Sequence, residues 1–244
     1  VKAIEESSLN AWPALQQLVF DGWLLRFAKG YTQRANSVHP LYAGWIDQVA
    51  DKVKRCEQIY SQRQLPTIFK ITPFVDPVDL DEMLVWMDYR RESLTSVQGL
   101  ALTAFNFQED DSVQRWSSPT DTWLAEFTRL DRRAAANQAT LSALLHNIVS
   151  PACFALLTHQ GRPAACGLAV HEGDFVGLFD IATDPAQRRQ GLTTRLISDL
   201  LHWAKQQAAA TAYLQVMLEN EPALRLYEKL GFKELYQYWY RVKS

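Results

Sequence analysis

Between an apolar run at residues 175–183 and an amphipathic run from Gly191 onward stand Asp184, Pro185, Ala186, Gln187, Arg188, Arg189 and Gln190, and Gly191 is followed by Leu192, Thr193 and Thr194. The upstream run reads as a strand. Downstream, Leu192, Leu196, Leu200 and Ala204 recur every four residues, so a helix begins inside this segment. Backbone N–H groups at a helix start have no intrahelical partner, and the aligned peptide dipoles place positive partial charge there. A junction of this kind suits a phosphate or diphosphate. Gly191 lets a ligand approach the backbone closely, and Arg188 and Arg189 can add charge-assisted hydrogen bonds to its oxygens. Taken alone, the same residues also read as solvated arginines at a turn. Within the strand, Asp180 interrupts Val176-Gly177-Leu178-Phe179, and a carboxylate there costs free energy unless it is paired or faces a cleft.

Composition narrows the classes of function. The chain has 244 residues, 48% of them apolar and 21% charged, which is ordinary for a globular protein. Lys and Arg total 25 against 27 Asp and Glu, a net charge of −2, so no overall field draws the chain to nucleic acid or anionic lipid. Its apolar stretches fall far short of the roughly 20 residues a membrane helix needs. The opening Val1-Lys2-Ala3-Ile4-Glu5-Glu6 shows no secretory pattern, and the chain is expected to be cytoplasmic. Cys56, Cys153 and Cys166 never form a C-x-x-C pair, and the five histidines show no H-x-x-x-H spacing, so neither a disulfide framework nor a metal is expected.

The elements that must position the loop follow from period and punctuation. The first half reads as a helical patch from Trp12, strands at 22–28 and 31–38 around Lys29-Gly30, and a helix at 43–62. Then come a strand at 67–72, a helix at 79–88 and a strand at 93–107. The charged and Ser/Pro-rich stretches around Glu109-Asp110-Asp111 and Ser117-Ser118-Pro119 mark a handover between packing units near 108–121. Beyond it the pattern predicts a strand at 123–127, a helix at 139–148 and an antiparallel meander over 153–159, 164–171 and 175–183. After the 191–208 helix come a strand at 213–218, a helix at 221–230 closed by Gly231, and a last strand at 232–242. The fold class is mixed α/β.

Strand, Asp-Pro, Arg188-Arg189-Gln190-Gly191-Leu192-Thr193, helix, strand, Asn220-Glu221-Pro222-Ala223 and Leu226-Tyr227-Glu228-Lys229-Leu230-Gly231-Phe232 occur in that order. This resembles the GNAT acyltransferase superfamily over residues 122–244. The family's loop is commonly written Q/R-x-x-G-x-G/A, and Thr193 departs from it by standing where glycine or alanine is usual. The resemblance implies a mostly antiparallel sheet flanked by helices. It also implies acetyl-CoA, or another acyl-CoA, lying between two splayed strands. The diphosphate would rest on N–H groups of residues 189–194, which span Arg189, Gln190, Gly191, Leu192, Thr193 and Thr194. Pantetheine would pair with Ile181, Ala182 and Thr183, and Asn220 would shape the cleft.

By the same resemblance Tyr227 sits near the thioester sulfur. A phenol, with a pKa of about 10, is a competent proton donor to a departing thiolate. The other reading is a tyrosine packed on the core face of its helix. An alkyl amine must lose a proton to attack, and Asp180 is the candidate base, with Glu219 and His171 as weaker options. Asp180 reads equally as a carboxylate satisfied by a neighbouring N–H or arginine, and catalysis by positioning alone needs no such base.

Residues 67–95 look like a worn copy of 213–237, with Met87-Asp88-Tyr89 where the later copy has Leu230-Gly231-Phe232. On that alignment Leu84 stands at Tyr227 and Pro77 at Asn220, and Ala35–Pro40 has no phosphate loop. The first half, 1–110, is therefore expected to be a degenerate GNAT-like unit that binds no acyl-CoA, as in the tandem GNAT proteins of bacteria. Residues 21–26 and 30–37 either line an acceptor pocket or tie strands and turn together. The expected activity is direct N-acyl transfer to a primary amine of a small molecule or peptide. A non-catalytic acyl-CoA-binding protein and an aminoacyl transferase of tandem-GNAT type stay open, as do the acceptor's identity and the oligomeric state.

Overall fold

The tight turns at Gln160-Gly161 and Gly173 carry positive φ, +51°, +73° and +57°, and fold residues 152–183 into an antiparallel meander. The computed structural model describes residues 1–46, 48–104 and 107–243. Its elements are α1 (Lys2–Ala11), β1 (Gln16–Phe20), β2 (Trp23–Phe27), β3 (Val38–Pro40), α2 (Val49–Ser61), β4 (Thr67–Ile71), α3 (Leu80–Trp86), β5 (Arg90–Ala101), β6 (Val113–Trp116), α4 (Asp121–Leu130), α5 (Arg132–Ala136), α6 (Gln138–His146), β7 (Ala152–His159), β8 (Arg162–Glu172), β9 (Phe175–Thr183), α7 (Leu192–Gln206), β10 (Thr211–Met217), α8 (Glu221–Lys229) and β11 (Lys233–Lys243).

The chain divides into two compact units, one made of Val1–Pro13, Val97–Val216 and Asn220–Leu235, the other of Ala14–Ser96, Met217–Glu219 and Tyr236–Ser244. This division differs from a handover at 108–121. The charged stretch there is bound rather than free. Asp199, fully buried on α7, accepts the Asp110 N–H at 2.9 Å and holds Arg115, whose Nε donates at 2.8 Å. The Asp110 carboxylate in turn holds Arg195 at 2.7 and 3.0 Å.

In the first unit the strand order is β10-β9-β8-β7-β6, antiparallel except for β10 beside β9. The apolar stripe of α7, from Leu192 through Leu196, Ile197, Leu200 and Leu201 to Ala204, packs on Ala165, Ala169, Val176, Leu178 and Leu214. Each such leucine or isoleucine stabilises the fold by about 1.5–3 kcal/mol through burial. Helix α1, which the sequence pattern did not reveal, also belongs to this unit. Ile4 and Ala11 are buried, Trp12 stacks on Phe179 at 6.2 Å, and Asn10 donates to Glu172 at 2.8 Å. The strand expected at 123–127 is helix α4. Its Thr120 side chain caps the Trp123 N–H at 3.2 Å, and Trp123, Leu124 and Phe127 form one buried helical face. A three-residue apolar cluster fits either period, and the cap decides it.

The second unit orders its strands β1-β2-β3-β4-β11 and packs Trp23, Leu25, Phe27, Phe69 and Ile71 on Val53, Cys56 and Tyr60 of α2. Residues 16–20 form a strand where a helical patch was expected. The strand expected at 31–38 shrinks to β3 behind a 3-10 turn at Gln33–Ala35. Asn36 is the reason: Oδ1 accepts the N–H groups of Ala28 (2.8 Å) and Gly30 (2.9 Å), while Nδ2 donates to the carbonyls of Tyr31 (2.8 Å) and Thr32 (2.9 Å). These local bonds replace a strand ladder. Helix α2 starts at Val49 rather than 43 because Asp21, which pairs with buried Lys52, takes the Trp45 and Ile46 N–H groups.

The helices of the two segments expected to be copies, α3 and α8, close on a left-handed residue, as α2 and α7 also do at Gln64 and Ala208. Asp88 and Gly231, each following its helix, have φ of +64° and +90°. Tyr89 N–H returns to the Leu84 carbonyl at 2.9 Å, and Phe232 N–H to that of Tyr227 at 3.0 Å.

Candidate active site

Strand β9 delivers the chain to the loop at Asp184, whose N–H donates to the Ala164 carbonyl (2.8 Å) and whose side chain caps a 3-10 turn at Pro185–Gln187 by accepting the Ala186 N–H at 2.9 Å. Two left-handed residues, Arg189 at φ +62° and Gly191 at φ +75°, then swing the chain into α7. The cap of α7 is Gly191 itself, which offers no side-chain acceptor, whereas the Thr120, Asp131 and Asn220 side chains each accept a first-turn N–H of their helices. The first bond of α7 runs from Arg195 N–H to the Gly191 carbonyl, at 3.1 Å. The amides of Leu192, Thr193 and Thr194 precede it and form the positive end of the helix. A Cβ at Gly191 would meet nothing within 4 Å, so positive φ is what calls for glycine, and the space before it is open. Thr193 does not crowd that space with a loose hydroxyl, because its Oγ1 lies 2.7 Å from Thr183 Oγ1 and ties the start of α7 to the end of β9.

A cavity of about 590 Å³ opens here. It brings together Ile181, Ala182, Thr183, Arg188, Arg189, Gly191, Leu192, Thr193, Thr194, Asn220 and Tyr227. Its shape comes from strands that part: β10 pairs with β9 only as far as Leu214 opposite Leu178, yet β9 continues to Thr183. Sequence reasoning missed Leu130 and Asp131 at the end of α4, together with Gln187, Pro222, Ala223 and Leu226. The last three had a signal, since Pro222 and Ala223 stand one turn before Leu226 and Tyr227 on the same helix face. Leu130 and Asp131 had none once 123–127 was read as strand.

Two of the expected site residues do not line this cavity. Gln190 lines a neighbouring one. Asp180, at φ +51°, sits in a bulge where Asp180 and Ile181 face the single residue Gly167 of β8, between the Cys166–Ala182 and Leu168–Phe179 pairs. A Cβ on Gly167 would lie 2.6 Å from Ile181 Cδ1, so glycine admits the bulge. Burial, then the Asp180 charge, push the Cys166 thiol above its ordinary range. His171, on β8, pairs with Val176 of β9, and Glu219 is exposed and belongs to the other unit.

The electrostatics favour an anion. Arg188 and Arg189 are exposed and form no ion pair among the described residues. Asp131, the acid on the cavity wall, is engaged with the Ala134 N–H at 2.8 Å. Tyr227 is 9% exposed, packs edge-on against Phe232 at 5.9 Å, and burial pushes its hydroxyl up to about 12. Asn220 caps α8 by accepting the Ala223 N–H at 3.3 Å. No group of His, Cys, Asp and Glu among the described residues is arranged to hold a metal ion, and no described helix is long and apolar enough to cross a membrane.

The chain is similar to known proteins in sequence and in fold. The chain is similar to an uncharacterized N-acetyltransferase, YobR, of Bacillus subtilis, with 28% identity over 253 residues, covering 100% of this chain and 98% of that one. It matches the [ribosomal protein bS18]-alanine N-acetyltransferase of Escherichia coli at 40% identity over 78 residues, 32% of this chain and 53% of that one. Among solved structures, a GCN5-related N-acetyltransferase from Kribbella flavida superposes with a TM-score of 0.72 at 14% identity, covering 99% of this chain and 94% of that one. With a family model matching residues 1–241, the chain belongs to the family described as the C-terminal part of the probable histone acetyltransferase Rv0428c, and it is an acetyltransferase of GNAT type.

Proposed function

We propose that this chain transfers an acyl group, acetyl first of all, from acyl-CoA directly to a primary amine of a small molecule or a peptide. The observation that carries the reading is the α7 terminus: a helix start without a side-chain cap, opening on a cavity where β9 and β10 have parted. A diphosphate fits that donor set, because Arg188, Arg189 and the amides of residues 189–194 supply hydrogen bonds and positive charge while Gly191 leaves room. Ile181, Ala182 and Thr183 lie past the Leu178–Leu214 pair of β9 and β10, so they offer backbone groups to the amides of pantetheine. The coenzyme thioester supplies the electrophilic carbonyl.

The reaction forms an N–C bond and breaks a C–S bond, moving one proton off the amine and one onto sulfur. Tyr227, protonated at neutral pH and lining the cavity, donates the second. Asp180, in its bulge one residue before the cavity wall, is the proposed acceptor of the first. The name of the ribosomal-protein relative, which acts on an alanine amine, supports an amine acceptor as the class. Calorimetry with acetyl-CoA tests donor binding, and thiol release with a panel of amines tests turnover. Saturable heat and amine-dependent thiol release are expected; absence of heat overturns the reading. Gly191→Glu, which puts bulk and negative charge at the cradle, is expected to abolish donor binding, and retained affinity would remove the diphosphate from α7.

A further inference from the structure

The loop before α7 is held by a side chain outside the 590 Å³ cavity. Arg129, in the last turn of α4, donates from Nε to Glu126 Oε2 (2.8 Å), from Nη1 to Asp184 Oδ2 (2.8 Å) and from Nη2 to the Pro163 carbonyl (3.2 Å). One planar guanidinium thereby joins α4, the start of β8 and the first residue of the loop. Asp184 passes the constraint on. Its other carboxylate oxygen holds the Ala186 N–H at 2.9 Å, its carbonyl accepts the Gln187 N–H at 2.9 Å, and Gln187 Nε2 returns to the Pro163 carbonyl at 3.4 Å. Arg129 lines a second cavity, of about 760 Å³, and Gln187 lines both, so the 184–187 turn is a wall they share.

We infer that Arg129 is a positioning residue for the donor, holding Asp184 so that the left-handed residues 189 and 191 present the α7 amides in one arrangement. This rests on the acyl-CoA reading above. The chemistry of the clamp suits conformation more than bulk stability. The Arg129 side chain is 45% exposed, and exposed ion pairs contribute little to global folding. Arg189, by contrast, holds a left-handed φ that a residue with a side chain resists, so the turn depends on its neighbours to persist. If the clamp is lost and the competent turn becomes a minor population, apparent donor affinity falls by that fraction while the chemistry of the bound state is untouched.

The test uses the full chain, with acetyl-CoA calorimetry, steady-state kinetics and amide hydrogen exchange. Arg129→Gln is expected to raise the acetyl-CoA Kd and KM about three- to ten-fold with kcat within about two-fold of wild type. Arg129→Lys, which keeps the charge but not the fork, is expected to recover part of that loss. Asp184→Asn should resemble Arg129→Gln, and the double variant should be no worse than either single one. Glu126→Gln removes only the partner on α4 and is expected to leave Kd unchanged. Wild-type Kd in Arg129→Gln, an equal loss in Glu126→Gln, or additive effects in the double variant would overturn the inference. Exchange over residues 185–194 separates it from the donor reading. If wild type gives no heat with acetyl-CoA the donor reading fails, and unchanged exchange in Arg129→Gln defeats the clamp by itself.

Discussion

Tyr227 shows how environment sets what one residue can do. Its hydroxyl, pushed up to about 12 by burial, stays protonated across the neutral range, so it can donate but is poorly matched to a thiolate leaving group near 8.5–10. That mismatch puts the expected gain at the lower end for general acids. Tyr227→Phe should reduce kcat about 100-fold with acetyl-CoA affinity nearly unchanged, and an unaltered kcat would take Tyr227 out of the mechanism. The cysteines illustrate the opposite case. Cys56, Cys153 and Cys166 are all buried, and burial pushes Cys56 and Cys153 up to about 12 and Cys166 higher still. A disulfide reagent at neutral pH is expected to label them only at the rate of unfolding, which stopped-flow absorbance in native and denaturing buffer measures.

At the scale of elements, α7 depends on a carboxylate that no apolar pattern would place. Asp199 stands within the helix one residue before Leu200, is fully buried, and is satisfied by Arg115 and the Asp110 amide. Removing Asp199 leaves the Asp110 amide without its acceptor and takes from Arg115 its buried partner, leaving only the ion pair with Glu109. Asp199→Ala is expected to lower unfolding free energy by about 3 kcal/mol, read from the urea midpoint, against less than 1 kcal/mol for Glu221→Ala, whose ion pair with Arg225 is exposed. The sequence pattern found α7 because it buries one continuous apolar face, α8 because Asn220 and Gly231 bound it, and the meander because glycine turns separate its apolar runs. It failed at α1, α4 and β1, where the segment is short or its apolar residues cluster, and where caps or distant partners settle the conformation.

For the molecule as a whole, acid stability follows from the carboxylates held in ion pairs. The Arg195 guanidinium beside Asp110 holds that carboxyl below the ordinary 3.8, and at Asp21 and Asp81 hydrogen bonds outweigh the upward push of burial. Groups with depressed folded values stabilise the protein fully above the unfolded value and lose that contribution as pH falls through the folded one. Thermal midpoints are therefore expected to hold down to about pH 5 and to drop steeply below about 4, as differential scanning calorimetry would show. The two compact units also predict which pieces fold. Residues 122–244 alone lack α1, β6 and residues 97–101 of the unit that contains the cavity, and we expect them to show helical circular dichroism without a cooperative thermal transition.

Residue type, order and spacing were enough to determine the loop, its helix and the Asn220 and Tyr227 positions, because each is written within one stretch of chain by period, cap or turn chemistry. Only the tertiary structure decided that Asp180 stands in a bulge opposite Gly167, that Leu130 and Asp131 close the cavity, that Arg129 holds Asp184, and that the N-terminal helix joins the unit bearing the loop. These are meetings of residues far apart in the chain. Local free energies do not encode them; they arise when separate apolar faces are buried against one another and bring polar groups within reach.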